Sequence, residues 1–483
     1  MEQENRDNAF KHILKYTGLF GGVQGLSILV ALVRNKIVAL LLGPTGMGLM
    51  SLFNSTVSFV SSATNLGLGT SAVKNISEAY AIEDTRALRH SVQVIRAWSV
   101  ITALLGLLVC AVFSPLLSRY TFGWGKHTIH FLLLSPVVAM TAITGGELAI
   151  LKGTRHLKGL ASISIINVVL ALVLSVPLFV VWRVKAIVPS MVIVALSQMI
   201  VTMAYSFHYC PLHWTFNKSI LLRGWGMIKL GVAFLLAGMF GSGADFLIRS
   251  FVNNTGSPDM LGLYNAGYMI TVTYGGMVFS AMETDYYPRL SSIVNTGEIL
   301  NDTVNKQIEV SLLIISPMLV ALIIGLPFII PLLYSGAFAP VVAMAQLSAL
   351  ALYLRAAKLP IAYLPLARSD SKAYLLMEGI YAVVYILFSF VCFHAIGLLG
   401  LGLALVLVAI FDFVMLNVYM RYRYRYRFSK SCWNLLLQQL PIGIVAYGLT
   451  WMEHNWVYWV IGMLLTMLSL ILSLKKLRRR TNS

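Results

Sequence analysis

Residues Lys15 to Gly48 read KYTGLFGGVQGLSILVALVRNKIVALLLGPTGMG. The segment is apolar, closes on a Gly-Pro turn, and is long enough to cross a bilayer, which takes about 20 residues of helix. Its departure from a simple anchor is Arg34 and Lys36. A permanent charge at membrane depth costs at least about 2.5 kcal/mol on insertion scales, so it faces a cavity or a partner rather than lipid.

The whole chain has the character of this stretch. With 58% hydrophobic and 11% charged residues and a mean hydropathy of +0.80, it lacks the polar surface of a water-soluble domain, which is about 25% charged. The apolar runs are about twice the roughly ten residues of a β-barrel strand, so the expected class is an all-α polytopic membrane protein. The net charge of +18 sits in short loops between apolar runs. That is the pattern of membrane topology, and nucleic acid is not an expected partner. The single cysteines Cys110, Cys210, Cys392 and Cys432 have neither disulfide nor zinc spacing, and no metal site is expected.

Apolar runs predict 14 spans, near 17–42, 47–72, 97–116, 129–151, 160–182, 187–209, 227–251, 262–284, 309–333, 341–361, 373–395, 398–420, 434–452 and 456–474. An even number puts both termini on one side. Of the 36 lysines and arginines, Arg34, Lys36, Arg119, Lys126, Arg183, Lys185 and Arg249 fall on the other side, and the remaining 29 share the side of the termini. This bias predicts cytoplasmic termini. All nine tryptophans fall in loops or near the expected span ends, as interface anchors do.

The sequence also hints at a repeat. GLMSLFN from Gly48 aligns with GLYNAGY from Gly262 at an offset of 214, and at 215 Arg34 falls on Arg249 and Leu151 and Thr154 fall on Leu366 and Ser369. The copies are six spans apart, so they share orientation. The expected organisation is a lobe over 1–210, a second over 211–425, and two additional spans with a basic tail over 426–483. Arg34 lies 19 residues beyond Lys15 and Arg249 lies 20 beyond Lys229, so both should lie about 30 Å along their helices. They either snorkel to the headgroups or line a cavity that receives phosphate. Lys36, about 200° around the helix from Arg34, is the weaker candidate.

Among the acids, Asp245 stands one turn before Arg249 and reads either as its ion-pair partner or as a gating group. Glu147 reads as a helix-end residue or a coupling acid; Glu378 and Asp412 lie deeper and are candidates for proton or sodium coupling, against buried structural pairing. RYRYRYRFSK, Arg421 to Lys430, reads as a topological and lipid-headgroup anchor. The chain carries no HExxH, GxSxG or phosphate-binding loop, so no enzyme activity and no resident cofactor are expected, with Na+ or H+ as the candidate coupling ions.

LLGPTGMG, NLGLGTSAVKNISE, YYPRLS and LYSGAF, in this order along the chain, resemble the polysaccharide-transport branch of the multidrug/oligosaccharidyl-lipid/polysaccharide flippase superfamily, the Wzx-type O-antigen flippases. The resemblance implies a carrier in the bacterial inner membrane that moves an undecaprenyl-diphosphate-linked oligosaccharide of O-antigen or capsule type to the outer leaflet by alternating access. It implies diphosphate contacts for Arg34, Lys36 and, through the repeat, Arg249, as well as contact with membrane lipids and association with polymerase machinery. The alternatives are a cation-coupled multidrug exporter of the same superfamily and a membrane glycosyltransferase or ligase. The first would favour acids where Arg34 and Lys36 stand. The second would want large outer loops, whose only acids here are Asp259 and Glu453.

Overall fold

A computed structural model describes residues 2–81, 85–123, 127–211, 218–276, 279, 286, 289–290, 293, 297–368, 370–453 and 455–481. Among them the regular structure is all helical, and ten helical stretches are long and apolar enough to cross a membrane. Two of these stretches each merge two expected spans, at Gly25–Thr64 and Lys158–Tyr209. The chain forms two compact units, Met1–Asn254 and Thr255–Ser483.

The first unit holds α1 (Glu2–Thr64), α2 (Leu68–Ala81), α3 (Thr85–Val112), α4 (Ser114–Thr121), α5 (Thr128–Gly153), α6 (Leu157–Trp182), α7 (Ile187–Tyr209) and α8 (Lys218–Thr255, all but its last residue). The first two expected spans meet inside α1 at Gly43, whose φ of 65° and ψ of −173° belong to a region that is essentially glycine-only. Pro44 follows, with no N–H to donate across the break. The second of these spans stops at Thr64, earlier than the expected 72. A turn through Leu66 and Gly67, both at positive φ, releases the amphipathic α2, and a Cβ on Gly67 would run into the backbone of Gly231.

Contacts report the direction of each helix. Ser27 meets Ser164 and Arg34 meets Ser175, so α1 before its break and α6 run parallel, as first and fifth spans must. Arg96 meets Glu147 while Gly106 abuts Val138, so α3 and α5 run antiparallel, as third and fourth must. Helix α3 begins at Thr85, well before the expected 97, because its basic first turns are helical too. Trp98 therefore lies midway along α3, buried and facing Trp225. Trp182, Trp433, Trp451 and Trp456 are exposed, while Trp124 and Trp214 lie outside the described residues.

The second unit holds α9 (Pro258–Tyr268), a π-helical segment Met269–Tyr274, α10 (Glu298–Leu333), α11 (Val342–Ala362), α12 (Ser371–Ile396), α13 (Leu398–Tyr424), α14 (Lys430–Leu449) and α15 (Trp456–Thr481). Helix α10 is its axis: Leu312, Leu319 and Ile323 are fully buried or nearly so, and α11, α14 and α15 pack on it. Met344 abuts Gly402 and Lys358 meets Asp412, so α11 and α13 run parallel, as tenth and twelfth spans must.

The basic run after α13 sorts its residues by side. Tyr424 and Tyr426 are buried and donate to Asp370 and Asn305, while the interleaved arginines stay exposed. Asp370 also caps α12 through the Ala373 N–H. That bond, with Arg423 and Tyr424, holds its carboxyl below the usual range against the opposing effect of burial.

Candidate functional site

Arg34 lies in α1, half-buried, and its Nε donates to Ser175 Oγ of α6 at 3.1 Å. Ser175 is itself fully buried and donates back to the Ala171 carbonyl of its own helix. The guanidinium is thus held against a neighbouring helix by a neutral hydroxyl, and among the described residues no carboxylate pairs with it. Lys36, also half-buried, follows it on α1.

Arg249, 6% exposed, is held differently. Its Nε donates to Ser51 Oγ of α1 at 2.9 Å, and its Nη1 forms an ion pair with Asp245 one turn earlier. Phe246 stacks on Phe59 at 5.3 Å, and Asn253 donates to the Thr121 carbonyl. The helix carrying Arg249 therefore packs within the Met1–Asn254 unit, next to the second half of α1. Its charge is compensated locally, whereas that of Arg34 is not.

Glu147, on α5, is fully engaged. It receives Arg96 Nε at 2.9 Å, Arg96 Nη2 at 3.2 Å and Ser206 Oγ at 2.5 Å. Arg96 also donates to the Cys210 and Pro211 carbonyls and lies 4.6 Å from the Phe207 ring centroid. Both members of the pair are under 10% exposed. A small groove of ≈ 180 Å³ passes beside Arg96, but the guanidinium is turned into this network.

Glu378 and Asp412 come together in the second unit, at a cavity of ≈ 250 Å³ walled by the π-helical segment, α11, α12 and α13. Asp412, 3% exposed, forms an ion pair with Lys358, whose Nζ also sits 4.6 Å from the centroid of the Tyr381 ring. Arg355 Nη1 donates to the Val272 carbonyl at 3.2 Å, within the π-helical segment, a distortion that tends to occur at functional sites. Glu378 lines the same cavity, and among the described residues it has no hydrogen-bond or ion-pair partner.

Sequence reasoning found the two acids of this cavity and missed its two cations. Arg355 and Lys358 lie within the expected span 341–361 but read only as charges on the side of the termini; the structure places both inside α11. Their i, i+3 spacing puts them on one helical face, a signal present in LRAAKL. Arg96 was hidden for the same reason.

The molecule is a multi-pass membrane protein with a known transporter fold. An inward-closed structure of the lipid II flippase MurJ superposes with a TM-score of 0.75 over 96% of this chain and 100% of that one, at 14% identity. A multidrug resistance MATE family transporter of the MOP superfamily, inward-facing, gives 0.67 over 83% and 94%, at 16% identity. A MOP superfamily transporter from Pyrococcus furiosus gives 0.62 over 85% and 96%, at 14% identity. Residues 37–343 match the polysaccharide biosynthesis protein family, and the chain belongs to it. No curated protein matches by sequence.

Proposed function

We propose that the protein is a flippase that carries an undecaprenyl-diphosphate-linked oligosaccharide from the cytoplasmic to the outer leaflet of the bacterial inner membrane, with both termini cytoplasmic. The observation that carries the reading is Arg34, a permanent cation in a membrane-spanning helix, positioned by Ser175 and balanced by no carboxylate among the described residues. A diphosphate supplies the missing charge and accepts charge-assisted bonds from a guanidinium. Arg249 contributes less to the anion, because Asp245 already answers its charge. Family membership supports a glycan-bearing cargo, and the role is translocation rather than catalysis. The exporters that share the fold give the rival reading, in which the cargo is an organic cation that Arg34 would repel.

The test is complementation of a strain lacking the protein with Arg34→Ala and Arg249→Ala, scoring surface glycan and the lipid-linked intermediate. Losing a charge-assisted contact worth about 1.5–3 kcal/mol should cut export about tenfold or more in Arg34→Ala, with the intermediate accumulating inside. Arg34→Lys should recover part of it, and Arg249→Ala should lose less. Full export by a normally produced Arg34→Ala variant overturns the proposal.

A further inference from the structure

The cavity of the second unit contains an unusual balance of groups for a space enclosed by apolar helices. Arg355 and Lys358 bring two positive charges, Glu378 and Asp412 two negative ones, and Tyr374 and Tyr381 add aromatic faces with hydroxyls. A free anion entering this space would meet two carboxylates, and a free cation would meet an ammonium and a guanidinium; like charges at close quarters are strongly disfavoured. The site is therefore poorly built for an ion of either sign.

It is well built for a neutral ligand that both donates and accepts. Lys358 and Asp412 satisfy each other. Arg355 commits one N–H to Val272, which leaves most of its five donors for other partners. The Glu378 carboxylate and the Tyr374 and Tyr381 hydroxyls have no hydrogen-bond partner among the described residues. Spare donors and spare acceptors thus face one space. Sugar hydroxyls and acetamido groups offer both functions, and the C–H face of a pyranose lies well against an aromatic ring, as other apolar faces do. The volume of ≈ 250 Å³ is below the roughly 300–1,000 Å³ of clefts that take drug-sized ligands, which suits one ring rather than a chain of them.

We infer that this cavity is a binding subsite for a single uncharged monosaccharide unit, with Glu378 and Arg355 as its accepting and donating groups and Tyr381 as its aromatic wall. The inference rests on the reading of the protein as a carrier of lipid-linked glycan and assigns part of the selectivity for the sugar to the Thr255–Ser483 unit, apart from the arginine proposed to hold the diphosphate.

The experiment is saturation-transfer NMR on the full-length protein purified in detergent, with N-acetylglucosamine, galactose and rhamnose as neutral probes and glucuronate and glucosamine as charged controls. At least one neutral sugar should receive transferred signal, and Glu378→Gln and Tyr381→Ala should abolish it. Tyr381→Phe, which keeps the ring, should retain part, and thermal melting of each variant shows that it is folded. Arg34→Ala should leave the signal intact while export falls. No signal from any neutral probe, signal unchanged in folded Glu378→Gln and Tyr381→Ala, preference for a charged sugar, or loss of signal on adding sodium chloride rather than choline chloride overturns the subsite. Full export by Arg34→Ala with the sugar signal present overturns the diphosphate reading and leaves the subsite standing.

Discussion

The two units each bury a cation–carboxylate pair between membrane-spanning helices, and the pairs differ in what surrounds them. Arg96 and Glu147 join α3 to α5, and Ser206, two backbone carbonyls and the Phe207 face take up their remaining capacity. Lys358 and Asp412 join α11 to α13 beside a cavity, with a second acid, Glu378, and a second cation, Arg355, facing the same space. In the first case the charges compensate one another completely and fasten helices. In the second they leave donors and acceptors over. Burial of a charge is thus no guide to its role until its hydrogen bonds have been counted.

The largest effect of substitution is expected in the first unit. Removing one partner of a satisfied buried pair leaves the other charge stranded and costs about 3–5 kcal/mol. Arg96→Ala and Glu147→Ala should therefore both lower the detergent melting temperature strongly and reduce yield, while the double replacement Arg96→Met with Glu147→Leu recovers part of the loss. If either single variant melts like the wild type, the pair is not a fastener.

In the second unit Lys358→Met should cost less, about 1–3 kcal/mol, because Arg355 lines the same cavity and still offsets part of the Asp412 charge. A loss as large as that of Arg96→Ala would mean that the cavity pair is structural as well. The finest distinction comes from exchanging one cation type for the other. Arg96→Lys forfeits a fork that engages both carboxylate oxygens and two carbonyls and should be measurably destabilised, whereas Lys358→Arg has the cavity to expand into and should melt within about 0.5 kcal/mol of wild type. Equal shifts in the two variants would erase the difference between the sites.

Much of the fold could be read from the letters. The span expected at 187–209 coincides with Ile187–Tyr209, and 456–474 lies within Trp456–Thr481, because an apolar run long enough to cross a bilayer has few alternatives to a helix. Breaks were legible where the backbone demanded a special residue, as at Gly43. Less legible was where a helix continues through charged residues. Arg355 and Lys358, inside the expected span 341–361, and Arg96, at the edge of 97–116, read only as charges on the side of the termini, because a cation near a span end has the same letter whether it faces headgroups or a partner helix. The acids Glu147, Glu378, Asp245 and Asp412 could be singled out, but the partners of Glu147 and Asp412 could not, unlike Arg249 one turn from Asp245.

What the sequence determined by itself was therefore the class of protein, the sites of most of its spans and the unusual presence of Arg34 in the first of them, since these follow from hydropathy, length and the cost of a charge in a membrane. Only the tertiary structure decided which charges are compensated. Lys358 and Asp412 are 54 residues apart in the chain, and Arg34 reaches a serine 141 residues away. Contacts of that range depend on which helices become neighbours and which faces they turn to each other, and neither is fixed by composition or local periodicity.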